Sequence, residues 1–275
     1  MHELAGKVAV VTGGGSGIGG GMVGAFAEAG MHVVVADIEL DAAASVAENA
    51  RGNGVDALAL HTDVTDVESV HTLAERAYDA FGAVHVLCNN AGVLVFGKVA
   101  ELRIEDWQWV YGVNVFGVIN GLHEFVPRML AQGGEGHVVN TASVVAFTRG
   151  PGREPYTSSK AAVVAITEDL RSEIANAGIG VTALLPGGVS TRIGESQRNR
   201  PDEFGPAATR GPREPGAPES SSPVLEPIDV GRMVRTAIER NDPWVFTHPE
   251  WLAANLDHAQ GVIDAIGQAR GAGTA

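Results

Sequence analysis

Short apolar runs rich in Val, Ile and Leu recur along the chain, and segments with helical spacing separate them. Continuous apolar runs are typical of strands that are buried on both faces of a parallel sheet. Alternation with helices places helices on both sides of that sheet. The predicted strands occupy residues 7–12, 32–37, 55–61, 84–88, 136–142, 181–185 and 244–247. We therefore predict an α/β fold, with a doubly wound parallel sheet of about seven strands in a single domain.

The helical segments fill the gaps between these strands. One follows the first strand and stops near Gly30, and Thr65-x-x-Glu68 fits a capping box that opens a later helix. The other helices are predicted over residues 39–51, 105–130, a segment that contains Tyr156 and reaches about 177, and 229–240. Residues 5–191 form the predicted core, and residues 228–270 form a C-terminal helix–strand–helix unit.

The segment between these two parts, residues 192–227, breaks the alternation. Seven of the 13 prolines lie in it, at positions 201, 206, 212, 215, 218, 223 and 227. Proline removes backbone donors, so no regular helix or strand is expected here. The segment is either a substrate lid or a solvated insertion, and its place just after the sixth strand favours the lid.

A Gly-rich turn, Gly13 to Gly19, joins the first strand to the first helix. Glycines let the backbone approach a pyrophosphate, and the helix N-terminus offers it free N–H groups and a positive dipole end. The second strand ends in Asp37, about 20 residues further on. This unit is typical of dinucleotide binding. Both Gly15-x-Gly17-x-x-Gly20 and the same spacing begun at Gly19 match the fingerprint, so spacing alone leaves the register open.

Asp37 also bears on the choice of cofactor. A carboxylate at this strand end accepts hydrogen bonds from the ribose hydroxyls and repels a 2′-phosphate, and residues 38–41 contain no Arg or Lys. NAD is therefore favoured over NADP. The alternative role for Asp37 is that of a helix cap.

Tyr156 and Lys160 are four residues apart in a predicted helix, so their side chains share one face. A free tyrosine has a pKa of about 10, and a nearby positive charge lowers it. The pair is a candidate general acid/base, although an amphipathic helix could also contain this spacing. Polar or turn residues end the other strands too, and ligands of such sheets bind there. These strand-end residues are Asp37, Asp63, Asn90, Ser143 and Pro186.

Composition narrows the possible partners. The 275 residues carry a formal charge of −14, which disfavours nucleic acid and anionic membrane surfaces. The one cysteine, Cys88, is predicted to be a buried strand residue, and no internal disulfide can form. No apolar run is long enough to span a membrane, no histidine spacing suggests a metal site, and no signal peptide precedes the first strand. We expect a cytoplasmic protein that binds no metal.

Several motifs together resemble the short-chain dehydrogenase/reductase family. They are Thr12-Gly13-x-x-x-Gly17-Ile18-Gly19, Asn89-Asn90-Ala91-Gly92, Asn114, Ser143, Tyr156-x-x-x-Lys160 and Pro186-Gly187-x-Val189-x-Thr191. The resemblance implies a Rossmann-type sheet of seven strands and hydride transfer between a nicotinamide and an alcohol or ketone. It implies that Tyr156 is the acid/base, that Lys160 lowers its pKa and binds the ribose, that Ser143 stabilises the substrate oxygen and that Asn114 holds a water. The implied cofactor contacts are Gly13, Ser16, Gly17, Ile18, Gly19, Asp63, Val64, Asn90, Ala91, Gly92, Tyr156, Lys160, Pro186, Gly187, Val189 and Thr191, in addition to Asp37.

By family position, mostly apolar residues line the substrate pocket: Val93, Leu94, Phe96, Val145, Phe147 and Gly188. They suit a hydrophobic secondary alcohol or ketone. The alternatives are a 3-oxoacyl-thioester reductase, which usually prefers NADPH, and a non-catalytic dinucleotide sensor. The resemblance also implies a homodimer or homotetramer. Three features depart from the family. Gly20 and Gly21 weaken the start of the first helix, and the Pro-rich segment is long. The run from Gly150 to Glu154 is unusual: Arg153 or Glu154 either faces the substrate or is solvated, and solvation is favoured.

Overall fold

The computed structural model describes residues 1–148, 150–206, 223–252 and 259–267. Residues 207–222 of the Pro-rich segment and the last eight residues lie outside it. The described residues form one sheet of seven parallel strands in the order β3-β2-β1-β4-β5-β6-β7. The strands are β1 Val8–Thr12, β2 His32–Asp37, β3 Ala57–His61, β4 Val86–Asn89, β5 Gly136–Thr141, β6 Ile179–Leu185 and β7 Trp244–Phe246. The predicted fold class is confirmed.

Helices cover both faces of this sheet. They are α1 Gly17–Glu28, α2 Leu40–Arg51, α3 Val67–Phe81, α4 Ile104–Tyr111, α5 Gly117–Gln132, α6 Glu154–Glu173 and α7 Pro227–Arg240, and a further helical stretch covers residues 259–267. Strand side chains alternate between two apolar layers. In β1, Val11 packs with Phe26 on one side of the sheet, and Val10 packs with Phe125 on the other. Cys88 is fully buried in β4, as predicted.

Some predicted element boundaries were wrong. Helix α3 begins one residue later than expected, because Asp66 in place of Thr65 caps it by accepting a hydrogen bond from the Glu68 amide, at 3.0 Å. Thr65 instead donates to Asp63. The predicted helix over 105–130 contains a π-helical turn, Gly112–Phe116, and the Pro-rich segment contains 3₁₀ helices at Ile193–Asn199 and Asp202–Phe204. The first of these can form because it precedes the first proline of the segment.

Helices α1 and α7 are in backbone contact. A Cβ atom added at Gly21 would overlap the carbonyl oxygen of Pro227, and one added at Gly231 would overlap the carbonyl oxygen of Gly21. Gly21 lowers helix propensity, but only a residue without a side chain lets α7 approach so closely. The departure from the family pattern at Gly21 therefore has a packing reason. Among the described helices, none is both long and apolar enough to cross a bilayer.

Candidate active site

A cavity of about 340 Å³ lies at the carboxyl ends of the strands. The chain places β2 and β3 on one side of β1 and continues with β4 on the other. Such a reversal opens a crevice between the loops that follow the two central strands. Most of the predicted site residues line this cavity. They are Gly13, Ser16, Gly17, Ile18, Asp37, Asp63, Val64, Asn90, Ala91, Gly92, Val93, Ser143, Tyr156, Lys160, Pro186, Gly187, Val189 and Thr191.

The Gly-rich turn is shaped to receive an anion. Gly13 and Gly17 both adopt positive φ angles, 61° and 52°, which favour glycine. Ser16 is the N-cap of α1, and its side chain makes no capping hydrogen bond. The N–H groups of the first turn of α1 therefore remain available for a pyrophosphate. Gly19 does not line the cavity. It serves close packing, since an added Cβ would overlap the carbonyl oxygen of Gly13.

Asp37 has the capacity to bind a ribose. One carboxylate oxygen accepts a hydrogen bond from the Gly15 amide at 2.8 Å, and the other accepts one from the Glu39 amide at 2.9 Å. A carboxylate offers about four acceptor positions, so acceptor capacity remains for two hydroxyl groups. Asp37 does not cap α2, since the residue at the N-cap is Glu39. Together with the open helix N-terminus, this arrangement fits a nicotinamide dinucleotide.

The loop after β4 is fixed to the Gly-rich turn. The Thr12 hydroxyl accepts hydrogen bonds from the amides of Asn90 and Ala91, at 2.9 and 3.2 Å. The Asn90 side chain donates to the Thr12 carbonyl oxygen at 3.0 Å and accepts from the Thr141 hydroxyl at 3.2 Å. Three strand ends are thus held in register around the cavity by polar contacts alone.

Tyr156, Lys160 and Ser143 lie together at the other end of the cavity. The Lys160 ammonium is 5.7 Å from the centre of the Tyr156 ring and donates to the Thr141 carbonyl oxygen at 2.7 Å. The Ser143 hydroxyl donates to the Pro186 carbonyl oxygen at 3.2 Å. These contacts hold an ammonium and two hydroxyl groups around one space, as proton transfer to a substrate oxygen requires.

Burial controls the proton affinities of this group. Burial raises the pKa of Tyr156, and a hydrogen bond with Ser143 and the charge of Arg153 act in the opposite direction. Burial lowers the pKa of Lys160 to about 8. Desolvation is the larger effect on the Tyr156 pKa, and the opposing charge comes from Arg153. Arg153 and Glu154 are half-buried, contrary to the expectation that they would be solvated.

Asn114 lies behind the cavity in the π-helical turn. Its side chain is fully buried, accepts from the Val93 amide at 2.8 Å and donates to the Val93 carbonyl oxygen and the Ser159 hydroxyl, both at 3.0 Å. A methyl group added at Gly92 would lie 3.4 Å from both Asn114 Oδ1 and Lys160 Nζ. Only the small Gly92 therefore separates these two side chains.

The structure places one of the six residues predicted for the substrate pocket against the cavity. Val93 lines the cavity, but Leu94, Phe96, Val145, Phe147 and Gly188 do not. Val145 is buried in a 3₁₀ turn, and Phe147 packs against Trp244 and Phe246, with ring centres 6.3 Å apart in each case. The residues after Ser143 fold onto β7 instead of toward the cavity.

The wall at this end comes instead from α4, the π-helical turn and the Pro-rich segment. Trp109, Val113, Ile193, Ser196, Pro201, Glu203 and Phe204 line it. A buried ion pair between Arg200 and Asp106, at 2.8 Å, joins the segment to α4, and the Arg200 guanidinium lies 5.1 Å from the centre of the Trp109 ring. Sequence reasoning missed these residues because neither α4 nor the segment carries a recognisable motif.

The Pro-rich segment also brings two arginines to the ribose end. Arg198 contacts the Glu39 carboxylate at 2.6 Å and Arg192 contacts it at 3.5 Å, and both arginines line the cavity. Positions 38–41 contain no basic residue, but Arg192 and Arg198 supply positive charge at this end of the cavity. No local signal could have revealed them, since more than 150 residues separate Glu39 from either partner.

The chain belongs to the short-chain dehydrogenase family, whose model matches residues 7–202. It is 33% identical over 269 residues to a C alpha-dehydrogenase of Sphingobium sp. (strain NBRC 103272 / SYK-6), covering 97% of this chain and 88% of the relative. A short chain dehydrogenase/reductase from Burkholderia phymatum in complex with NAD has a TM-score of 0.84 and 37% identity, covering 92% and 93% of the two chains.

An alcohol dehydrogenase from the archaeon Thermococcus sibiricus complexed with 5-hydroxy-NADP is also similar, with a TM-score of 0.72, 27% identity and coverage of 87% of this chain and 94% of the other. Relatives with bound NAD and with a bound NADP analogue are therefore both similar to this chain. The family binds a nicotinamide dinucleotide, and this chain is a member of a family of oxidoreductases that act on CH–OH groups.

Proposed function

We propose that this protein is an NAD-dependent dehydrogenase that interconverts a secondary alcohol and a ketone on a hydrophobic small molecule. One observation carries the proposal: a single cavity has a ribose-binding carboxylate, Asp37, at one end and the cluster of Tyr156, Lys160 and Ser143 at the other. The residues proposed to hold the two ends of the cofactor thus line one continuous crevice.

The roles of the residues follow from their positions. When bound, the nicotinamide accepts a hydride from the alcohol or supplies one to the ketone. Tyr156 takes or gives the proton at the substrate oxygen, and Ser143 donates a hydrogen bond to the same oxygen. Lys160 holds a positive charge beneath the phenol, because its pKa of about 8 keeps most of it protonated near pH 7. Asn114 positions the loop at Val93 through both of its amide atoms and is the proposed holder of a relay water.

The choice of NAD rests on Asp37. A 2′-phosphate placed against a carboxylate that already accepts two amide hydrogen bonds would be repelled, whereas ribose hydroxyls would be bound. Fluorescence titration of purified protein with NADH and NADPH tests this directly. We expect NADH to bind at least about tenfold more tightly, which corresponds to about 1.4 kcal/mol. Equal affinities would contradict the role given to Asp37.

The choice of a hydrophobic substrate rests on the wall of the cavity. Val93, Trp109, Val113 and Phe204 present apolar surface beside the catalytic group. Such a wall favours an apolar body with few polar groups. The 33% identical relative is named as a C alpha-dehydrogenase, which agrees with oxidation of a carbinol carbon. A 3-oxoacyl-thioester reductase remains the alternative within the same chemistry, and a preference for NADPH would favour it.

A measurement of turnover distinguishes either of these enzymes from a non-catalytic dinucleotide sensor. A panel of secondary alcohols is incubated with NAD⁺, and NADH formation is followed by absorbance. Tyr156→Phe should reduce turnover by at least about 100-fold, the usual contribution of general acid/base catalysis, with NADH affinity nearly unchanged. The matched control is Tyr78→Phe, which removes a buried hydroxyl from α3 outside the cavity. Undiminished turnover by Tyr156→Phe would show that the acid/base is a different residue.

We also propose that the protein forms homodimers or homotetramers and acts in the cytoplasm. Phe116 and Ile119, at the start of α5, are 56% and 38% exposed, and apolar side chains grouped on one helix face favour burial against a partner. Light scattering tests the assembly. Phe116→Asp should lower the measured mass, and Val67→Asp, at an exposed apolar residue on α3, is the control.

A further inference from the structure

Glu39 lies where the Pro-rich segment meets the ribose end of the cavity. Its carboxylate accepts hydrogen bonds from Arg198 at 2.6 and 2.9 Å and from the Asn199 side chain at 2.9 Å, and it forms an ion pair with Arg192 at 3.5 Å. Its own amide donates to Asp37. One glutamate therefore connects the ribose-binding carboxylate to two arginines that arrive from a distant part of the chain.

The positions of these groups make them neighbours of any cofactor. Asp37, Arg192, Arg198 and Asn199 all line the same cavity. The side chains remain accessible, at 30% exposure for Glu39 and Arg198 and 43% for Arg192. Arginine binds phosphate oxygens in a bidentate manner, and here both guanidinium groups are engaged by a carboxylate instead.

We infer that Glu39 is a specificity-determining residue that disfavours a 2′-phosphate by pairing with Arg192 and Arg198 and lowering the positive charge they present. The inference rests on the proposed preference for NAD and adds a second acid to the role of Asp37. A dinucleotide with a 2′-phosphate would bring about two further negative charges to this end of the cavity. With Glu39 in place, its carboxylate engages both arginines, and the phosphate would meet the Asp37 carboxylate without a free guanidinium beside it. Without the Glu39 charge, the same arginines become a phosphate site.

A purely mechanical role for Glu39 makes a different prediction. If the carboxylate only held the Pro-rich segment against the loop after β2, its loss would loosen the segment over either cofactor. NADH and NADPH would then be affected alike. A partly exposed ion pair contributes little to stability, so a selective effect on NADPH is the distinguishing result.

The experiment is a fluorescence titration of the full-length protein with NADH and with NADPH. Glu39→Gln keeps the size of the side chain and its ability to accept from Asn199 but removes the charge. We expect the Kd for NADPH to fall about tenfold and the Kd for NADH to change less than about threefold. The tenfold change corresponds to about 1.4 kcal/mol of recovered attraction between the arginines and the 2′-phosphate. Glu48→Gln is the matched control, because Glu48 pairs with Arg51 on α2 outside the cavity.

The arginines provide the second arm of the test. In a protein that already carries Arg192→Gln and Arg198→Gln, the Glu39→Gln change should no longer improve NADPH binding. Equal shifts for both cofactors, or a gain that persists without the arginines, would overturn the inference. A wild-type protein that prefers NADPH would contradict the proposed function, but the comparison of the two backgrounds would still show whether Glu39 acts through the arginines.

Discussion

The Asp106–Arg200 ion pair permits a quantitative prediction about the substrate end of the cavity. Asp106 is fully buried and Arg200 is 4% exposed at the side chain. Arg200 also donates to the carbonyl oxygens of Phe204 and Gly205, both at 2.8 Å. Removing one partner of a buried pair leaves an uncompensated charge, at a cost of about 3–5 kcal/mol. Asp106→Asn creates that situation without changing the size of the side chain.

A local movement can relieve the unpaired charge at a lower free energy than unfolding of the whole protein. Arg200 belongs to a short segment at the edge of the molecule, whereas Asp106 is held in α4 by a hydrogen bond from the Arg103 amide at 2.9 Å. In Asp106→Asn the arginine can regain water if residues 200–205 move away from α4. Trp109 and Phe204 would then no longer form one wall, although Tyr156 would stay in place. We therefore expect KM for the alcohol to rise at least about tenfold, with kcat within about threefold of the wild-type value.

Steady-state kinetics with an accepted alcohol and a thermal melt of the same preparations test this reasoning. Asp106→Asn combined with Arg200→Met should recover part of the lost KM, because no unpaired charge is left. The control Arg232→Met breaks an exposed pair between α7 and α1 and should change neither KM nor Tm appreciably. An unchanged KM with a large fall in Tm would show that the segment does not move and would refute the argument.

Two further predictions concern stability. Gly231→Ala should destabilise the protein by more than about 2 kcal/mol, because its Cβ would overlap the Gly21 carbonyl oxygen in α1. Gly188→Ala is the control: its Cβ would enter open space, and the change should be tolerated. Urea unfolding compares the free energies of unfolding of the two variants. Burial lowers the pKa of His137 to about 3, so the unfolded chain binds a proton that the folded chain refuses as the pH falls from about 6.5 to about 3. Stability should fall by as much as about 1.4 kcal/mol per pH unit in that window. His137→Gln should flatten the dependence of the urea midpoint on pH there, and an equally steep dependence in the variant would show that His137 is not the group responsible.

Local patterns were sufficient to predict the cofactor half of the molecule. Strand identity followed from apolar runs, and the Gly-rich turn and Asp37 are within 25 residues of each other. The proximity of Tyr156 to Lys160 follows from helix geometry alone. In each of these cases, the residues that act together are close in sequence or lie at the ends of adjacent parallel strands.

The substrate half could not be predicted in the same way. The direction in which Phe147 points depends on the aromatic side chains of β7, nearly 100 residues later. The positions of Arg192, Arg198 and Arg200 depend on how a segment without periodicity crosses the sheet edge. Gly21 looked like a weak point in α1 until its neighbour α7 was placed against it. Long-range packing and charge pairing decide these features, and a single sequence contains no local signal for either.

The backbone contact between Gly21 and Gly231 has a consequence for how this enzyme can diversify. Helix α7 begins where the Pro-rich segment ends, so the exit of the segment is fixed to the helix that presents the phosphate turn. That attachment combines direct backbone contact with side-chain pairs such as Arg232 and Glu28. Substitutions at Pro201, Glu203 and Phe204, which line the cavity, can therefore alter its wall without displacing α1. In an enzyme with the proposed function, the substrate wall could diversify in this way while the Gly-rich turn stays in place.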